Sequence, residues 1–244
     1  MEIVNTIGYP VFKGDLAEID VLNKSKFLIN TVSPNSYGLA QNDSIAEEAL
    51  KKSDILILDG VYFGWASLAL KGKKINRITG WDAFRTLSLW AQNNSGKVFF
   101  LGSSVATLEK IKAKFTAEFP NTNVEYYSPP FKESFSEEDD LKMQEAINSF
   151  QPDILFIGMT APKQEKWGYK NKPYLKVKVI CTIGNVFDWY AGNSKRPHIF
   201  WQKVGLEWLV RIFHRPEIFK RNIGNQMLFF WHLFLYIIKV KKVC

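Results

Sequence analysis

The 244-residue chain reads as an α/β protein: a Rossmann-like, mostly parallel sheet flanked by helices, followed by a basic, apolar C-terminal helical appendage. Three observations predict this. Short apolar runs without polar alternation, such as Ile-Leu-Ile-Leu at 55–58 and Ile-Leu-Phe-Ile at 154–157, suit parallel strands covered on both faces. Longer helical patterns separate them in a βαβ rhythm. After about residue 195 the rhythm stops, and the chain becomes helical, aromatic and basic.

The strands are predicted at 27–32, 55–58, 98–101, 124–127, 154–157 and 179–183. Helices are predicted at 36–52, 62–71, 81–94, 104–118, 136–149 and 162–171. Ser104 is placed to cap one helix, and Ser136 precedes the acidic first turn of another, where carboxylates oppose the helix dipole. Pro162 suits a first helical turn because its missing N–H costs nothing there. A helix over 199–213 gathers Lys203, Glu207, Arg211, His214 and Arg215 within an arc of about 120°. Pro216 ends it, and a second helix runs from Glu217 to about Lys239. The expected division is a body over 1–194 and an appendage over 195–244.

Composition narrows the class. Hydrophobic residues make up 46% and charged residues 23%, which is ordinary for a globular chain. Two cysteines, Cys181 and Cys244, imply no disulfide framework and fit a reducing compartment. Residues 195–244 hold ten Lys and Arg against two Asp and Glu, so the whole net charge of +8 lies there. Residues 1–194 balance. The same segment carries the apolar run 227–238, shorter than the ~20 residues that span a bilayer as a helix. Cations beside aromatic and aliphatic side chains point to an anionic membrane surface on which the protein lies without crossing.

In a parallel sheet, ligands collect beyond the carboxyl ends of the strands. That rule selects the loops carrying Thr31, Ser33 and Asn35; Asp59 and Gly60; Gly102 and Ser103; Gly158, Lys163 and Gln164; and Gly184 with Asp188. Glycines there let backbone amides approach a ligand, although turns need glycine anyway. Asp59 directly follows an apolar strand and is either a general base or a cap for the next helix. Thr31 and Ser33 face one way or serve turn chemistry. Lys163 and Gln164 meet an anionic ligand or form a solvated helix start.

Metal and covalent chemistry receive little support. His198, His214 and His232 are isolated, and no Asp-x-Asp pair, Walker loop, Gly-x-Gly-x-x-Gly fingerprint or Gly-x-Ser-x-Gly elbow occurs. No cofactor is expected. A ligand diphosphate would have to be met by amides and by cations such as Lys163, Arg196 and Arg211.

Read together, these loops resemble the WecG/TagA/CpsF glycosyltransferases (glycosyltransferase family 26). The similarity runs from about Asn30 to Phe230. Its most specific stretch is 153–167, Asp-Ile-Leu-Phe-Ile-Gly-Met-Thr-Ala-Pro-Lys-Gln-Glu-Lys-Trp, followed by Gly184-Asn-Val-Phe-Asp-Trp-Tyr-Ala-Gly192, Lys195-Arg196-Pro197 and Gly205-Leu-Glu-Trp-Leu209. Earlier come Ser33-Pro-Asn-Ser-Tyr37, Leu58-Asp-Gly60, Arg77-Ile-Thr-Gly80 with Asp82, and Val98-Phe-Phe-Leu-Gly102. The resemblance implies inverting, metal-independent transfer of a sugar from a UDP-sugar onto a polyprenyl-diphosphate-linked saccharide, peripherally at the cytoplasmic membrane face. It implies Asp59, Thr31 and Gln164 as catalytic residues with Asp59 as the base, Gly80 and Asp82 at the substrate, and Arg211 and Arg221 at the diphosphates. Ser33 replaces the usual Asn, and Ile218 stands where an arginine is often found. Two rival readings are a nucleic-acid-binding module, favoured by the basic, aromatic tail but opposed by the balanced body, and an inactive scaffold of the same fold. Nucleic acid is not expected as a partner; homo-oligomerisation is left open.

Overall fold

The computed structural model describes residues 2–196, 198, 201 and 216–238, except for the side chains of 216–221. Its sheet has eight strands: β1 (Glu2–Thr6), β2 (Tyr9–Lys13), β3 (Phe27–Val32), β4 (Ile55–Leu58), β5 (Lys97–Gly102), β6 (Asn123–Tyr127), β7 (Ile154–Gly158) and β8 (Val179–Thr182). Their order is β1-β2-β4-β3-β8-β7-β5-β6. All neighbours are parallel except β1 and β2, which form an antiparallel hairpin.

Period-2 alternation explains the buried strands. Along β7, Ile154 and Phe156 join one core cluster, while Leu155 and Ile157 join the cluster on the opposite face. Along β5, Val98 and Phe100 pair with the first set, and Phe99 and Leu101 with the second. Both faces are covered, so the strands need no polar positions.

The helices are α1 (Pro34–Ala40), α2 (Ser44–Lys51), α3 (Tyr62–Lys71), α4 (Gly80–Asn93), α5 (Val105–Glu118), α6 (Glu137–Phe150), α7 (Lys163–Asn171), α8 (Val186–Tyr190) and α9 (Pro216–Ile237). Ser104 and Ser136 cap α5 and α6 as the sequence suggests: their hydroxyls accept from the backbone N–H groups of Thr107 and Asp139. One expected helix, over 36–52, is two. Asp43 interrupts it, its carboxylate accepting from the Ala46 N–H to start α2 afresh. The hairpin β1–β2 and the short α8 were not expected. The expected helix over 199–213 lies outside the described residues.

The last helix, α9, packs along α1. Phe229 is fully buried there against Tyr37 and Phe63, and Tyr37 shares a 2.6 Å hydrogen bond with His232 Nδ1. The Asn225 side-chain amide donates to Asn35 Oδ1 at 3.1 Å. Gly38 makes this approach possible, since a Cβ there would fall 2.4 Å from Asn225 Cβ and 2.5 Å from its Cα. Along α9, Met227, Trp231, Phe234 and Ile237 are exposed, as is Ile238 just beyond it. Among the described residues no helix is long and apolar enough to cross a membrane.

Candidate active site

A cleft of about 1680 Å³ opens at the carboxyl ends of β3, β4, β5, β7 and β8. Ligand sites in open α/β sheets form at this edge. The cleft exceeds the ~300–1,000 Å³ usual for one small ligand, so it has room for two. Thirteen of the expected residues line it: Thr31, Ser33, Asn35, Asp59, Gly60, Gly80, Ser103, Gly158, Lys163, Gln164, Gly184, Asp188 and Arg196.

Asp59 leaves the end of β4, its backbone N–H still bonded to the Val32 carbonyl at 2.9 Å. The alternative reading of Asp59 as a helix cap fails. Helix α3 starts after Val61 and has no side-chain cap. Among the described residues no donor holds the Asp59 carboxylate, which leaves it available to a ligand in the cleft.

Ser33, by contrast, is committed. Its hydroxyl accepts from the Ser36 N–H at 3.2 Å, and Ser36 Oγ accepts from the Ser33 N–H at 2.7 Å, a reciprocal box that caps α1. Ser33 therefore serves the fold as the cap of α1. Asn35 sits next in that turn and joins the cleft to α9 through Asn225.

Gln164 is a stitch between strand ends. Only 4% exposed, its Oε1 accepts from the Gly184 N–H at 3.0 Å and the Met159 N–H at 3.4 Å, while Nε2 donates to Glu165 Oε1 at 2.8 Å. It fixes the loops after β7 and β8, which form the floor of the cleft. Lys163 turns toward the rim: its ammonium bonds the Lys132 carbonyl and lies 4.7 Å from the Phe135 ring centre.

Two expected residues take structural positions instead. Asp82 closes the capping box of α4, accepting from the Thr79 N–H and hydroxyl, each at 2.8 Å, and it does not line the cleft. Gly102 has φ of +119°, and a Cβ on it would lie 2.5 Å from the Gly158 carbonyl oxygen. It permits the close pairing of β5 with β7 without lining the cleft. The next residue, Ser103, is left-handed at φ +60° although it has a side chain, a strained geometry at the cleft wall.

The Arg196 guanidinium carbon lies 5.2 Å from the Trp81 ring centre and 5.6 Å from that of Trp189. These cation–π contacts help hold it at the cleft edge. Arg211 lies outside the described residues, and Arg221 falls in α9 where side chains are not described. Sequence reasoning gave no role to two residues that line the cleft, Arg77 and Glu165. Both fall inside motifs of the resemblance. For Arg77 a cation beside a strand-end loop is the signal to follow, whereas an acid in a first helical turn, like Glu165, is ordinary dipole chemistry. Burial pushes its carboxyl up to about 7, opposed by bonds from Gln164 and its own backbone N–H. Among the described residues no three His, Cys, Asp or Glu side chains gather as metal ligands.

The model of the Glycosyl transferase WecG/TagA/CpsF family matches residues 5–243. Curated relatives include the N-acetylglucosaminyldiphosphoundecaprenol N-acetyl-beta-D-mannosaminyltransferase of Bacillus subtilis (strain 168), 26% identical over 197 residues, with 81% of this chain and 75% of the relative covered. Proteins of the same name from Bacillus spizizenii and Staphylococcus aureus (strain MRSA252) are each 26% identical, covering 83% and 77% of this chain and 76% and 72% of themselves. With a family match from the first strand nearly to the last residue, the chain belongs to the WecG/TagA/CpsF glycosyl transferase family.

Proposed function

We propose that this protein transfers a sugar from a UDP-sugar onto a polyprenyl-diphosphate-linked saccharide, with inversion and without a divalent metal, in the synthesis of a cell-surface polysaccharide. The relatives are named for N-acetylmannosaminyl transfer to N-acetylglucosaminyldiphosphoundecaprenol, and we extend that substrate class, an N-acetylhexosamine donor and a lipid-diphosphate acceptor, to this chain. The observation that carries the reading is Asp59: a carboxylate at a strand end, with no donor on it among the described residues, in a cleft with room for two substrates.

In the reaction, Asp59 takes the proton of the acceptor hydroxyl as that oxygen attacks the anomeric carbon. The bond from that carbon to the β-phosphate oxygen breaks, and UDP leaves with the electron pair. Attack opposite the leaving group inverts the anomeric centre. Charge builds on the departing diphosphate, where preset donors are worth most. Arg196, near its two indoles, would take that role, and Arg77 and Lys195 line the same cleft. Arg211 and Arg221 would add to them as the segment 195–244 closes over the site. The same segment provides the membrane contact, with the exposed side chains of α9 entering the interface and Lys239, Lys241 and Lys242 meeting anionic headgroups on the cytoplasmic side.

The test is a panel of UDP-sugars incubated with a lipid-diphosphate-monosaccharide and read by mass spectrometry. One donor should extend the acceptor by a single sugar and release UDP. Donor hydrolysis alone, or no product from any member, would overturn the proposal.

A further inference from the structure

Glu165 lies 3% exposed at the cleft wall, and among the described residues its Oε2 has no hydrogen-bond partner. Among the described residues, the elements packed on α7 bring it no counter-charge, and the cleft cations Arg77, Lys195 and Arg196 make no hydrogen bond to it. On α7 itself, Lys163 bonds the Lys132 carbonyl, Lys166 pairs with Asp43 of α2 at 2.7 Å, and Lys170 pairs with Asp140 of α6 at 3.0 Å. On α2, Glu47 and Glu48 are paired with Lys51 and Lys52. After α7, Lys172 is paired with Asp54. The strands β3, β7 and β8 contribute no charged side chain, only the buried thiol of Cys181. An ionised carboxylate here would be a buried, unpaired charge.

We propose that Glu165 is a positioning residue that works as the neutral acid, holding the Gln164 amide and through it the two loops that floor the cleft. The hydrogen bonds fix the direction of the argument. Gln164 must present its oxygen to the Met159 and Gly184 N–H groups, so its NH2 has to find an acceptor on the other side. Glu165 Oε1 is that acceptor at 2.8 Å. Without it the amide can rotate and place N–H against N–H. When Glu165 ionises, the charge draws water or swings out, and it adds negative potential where a nucleotide diphosphate has to bind. Burial pushing the carboxyl up to about 7 puts that event near neutrality.

The kinetic readout rests on the transfer reading above; the stability readout does not. In Glu165→Gln, the amide keeps an acceptor for Gln164 and never ionises. The full-length wild type should show a donor KM that rises above pH ~7 while kcat changes less. Glu165→Gln should keep its KM level across that range, and Glu165→Ala should lose roughly tenfold or more in kcat/KM at every pH. Thermal unfolding of the same three proteins provides the second arm. A raised folded-state pKa makes the native state hold a proton the unfolded chain has released, so wild type loses stability relative to Glu165→Gln as pH rises from 4.5 to about 7, with no further loss above. An identical KM rise in Glu165→Gln, or full activity in Glu165→Ala, overturns the positioning role. Parallel melting profiles for wild type and Glu165→Gln overturn the neutral acid even if no donor sugar is ever found.

Discussion

Gly38→Ala isolates the docking of α9 on the body, because the position is otherwise a place where alanine should help. Within a helix, alanine is favoured over glycine by about 1 kcal/mol. Here its methyl would fall 2.4 Å from Asn225 Cβ, 2.5 Å from Asn225 Cα and 2.7 Å from the Asn225 carbonyl oxygen. Carbon atoms settle at about 3.5–4.0 Å, so α9 must retreat by roughly 1 Å. Two of those three atoms are backbone, and no rotamer change relieves them. Overpacking of this kind costs about 1–3 kcal/mol. The retreat also stretches the 3.1 Å bond from Asn225 to Asn35, worth about 1 kcal/mol. Loss exceeds gain by about 1–3 kcal/mol, concentrated on α9. Hydrogen exchange read by mass spectrometry should therefore show α9 amides in Gly38→Ala exchanging faster, about tenfold for each 1.4 kcal/mol, with β5 and β7 unchanged. Equal protection of α9 in both proteins, or a higher melting temperature for the variant, would refute the close contact between α1 and α9.

Further outcomes follow from the cleft edge and from the exposed face. Removing one indole in Trp189→Ala takes away one of the two rings flanking Arg196, a contact worth about 0.5–2 kcal/mol, so calorimetry should find UDP bound about 2- to 30-fold more weakly. An unchanged Kd would mean that Arg196 does not meet the nucleotide. Serine in place of Trp231, Phe234 and Ile237, all about half exposed on α9, should reduce flotation with anionic vesicles while leaving the melting temperature in place. Undiminished flotation would assign membrane contact to another surface.

Much of the α/β body was readable because buried parallel strands announce themselves. The runs at 55–58 and 154–157 have no polar interruption, and every helix between them has either a capping Ser, Asp or Thr or a glycine stop. The hairpin β1–β2 was hidden. Its turn is Ile7-Gly8, both left-handed, instead of the usual Asn-Gly, and Pro10 argues against a strand until Asn5 is seen opposite it. Within the site, strand-end position found Asp59 and Gly184 because topology alone puts them there. It could not separate Asp82 from the ligand, since a helix cap and a cleft residue look alike when only spacing is known. Nor could it single out Glu165, whose proposed role rests on its burial and on an Oε2 without a partner among the described residues, both products of tertiary packing.

The central claim is that Asp59 removes the acceptor proton. Asp59→Asn keeps the size and shape of the side chain and removes the basic oxygen, so it isolates that chemistry from binding. General-base catalysis contributes about 10²–10⁴-fold, and single-turnover transfer by the variant should slow by that amount while its affinity for UDP stays within about twofold of wild type. A loss smaller than about tenfold, with UDP binding intact, would contradict the assignment and return the search for the base to the other groups in the cleft.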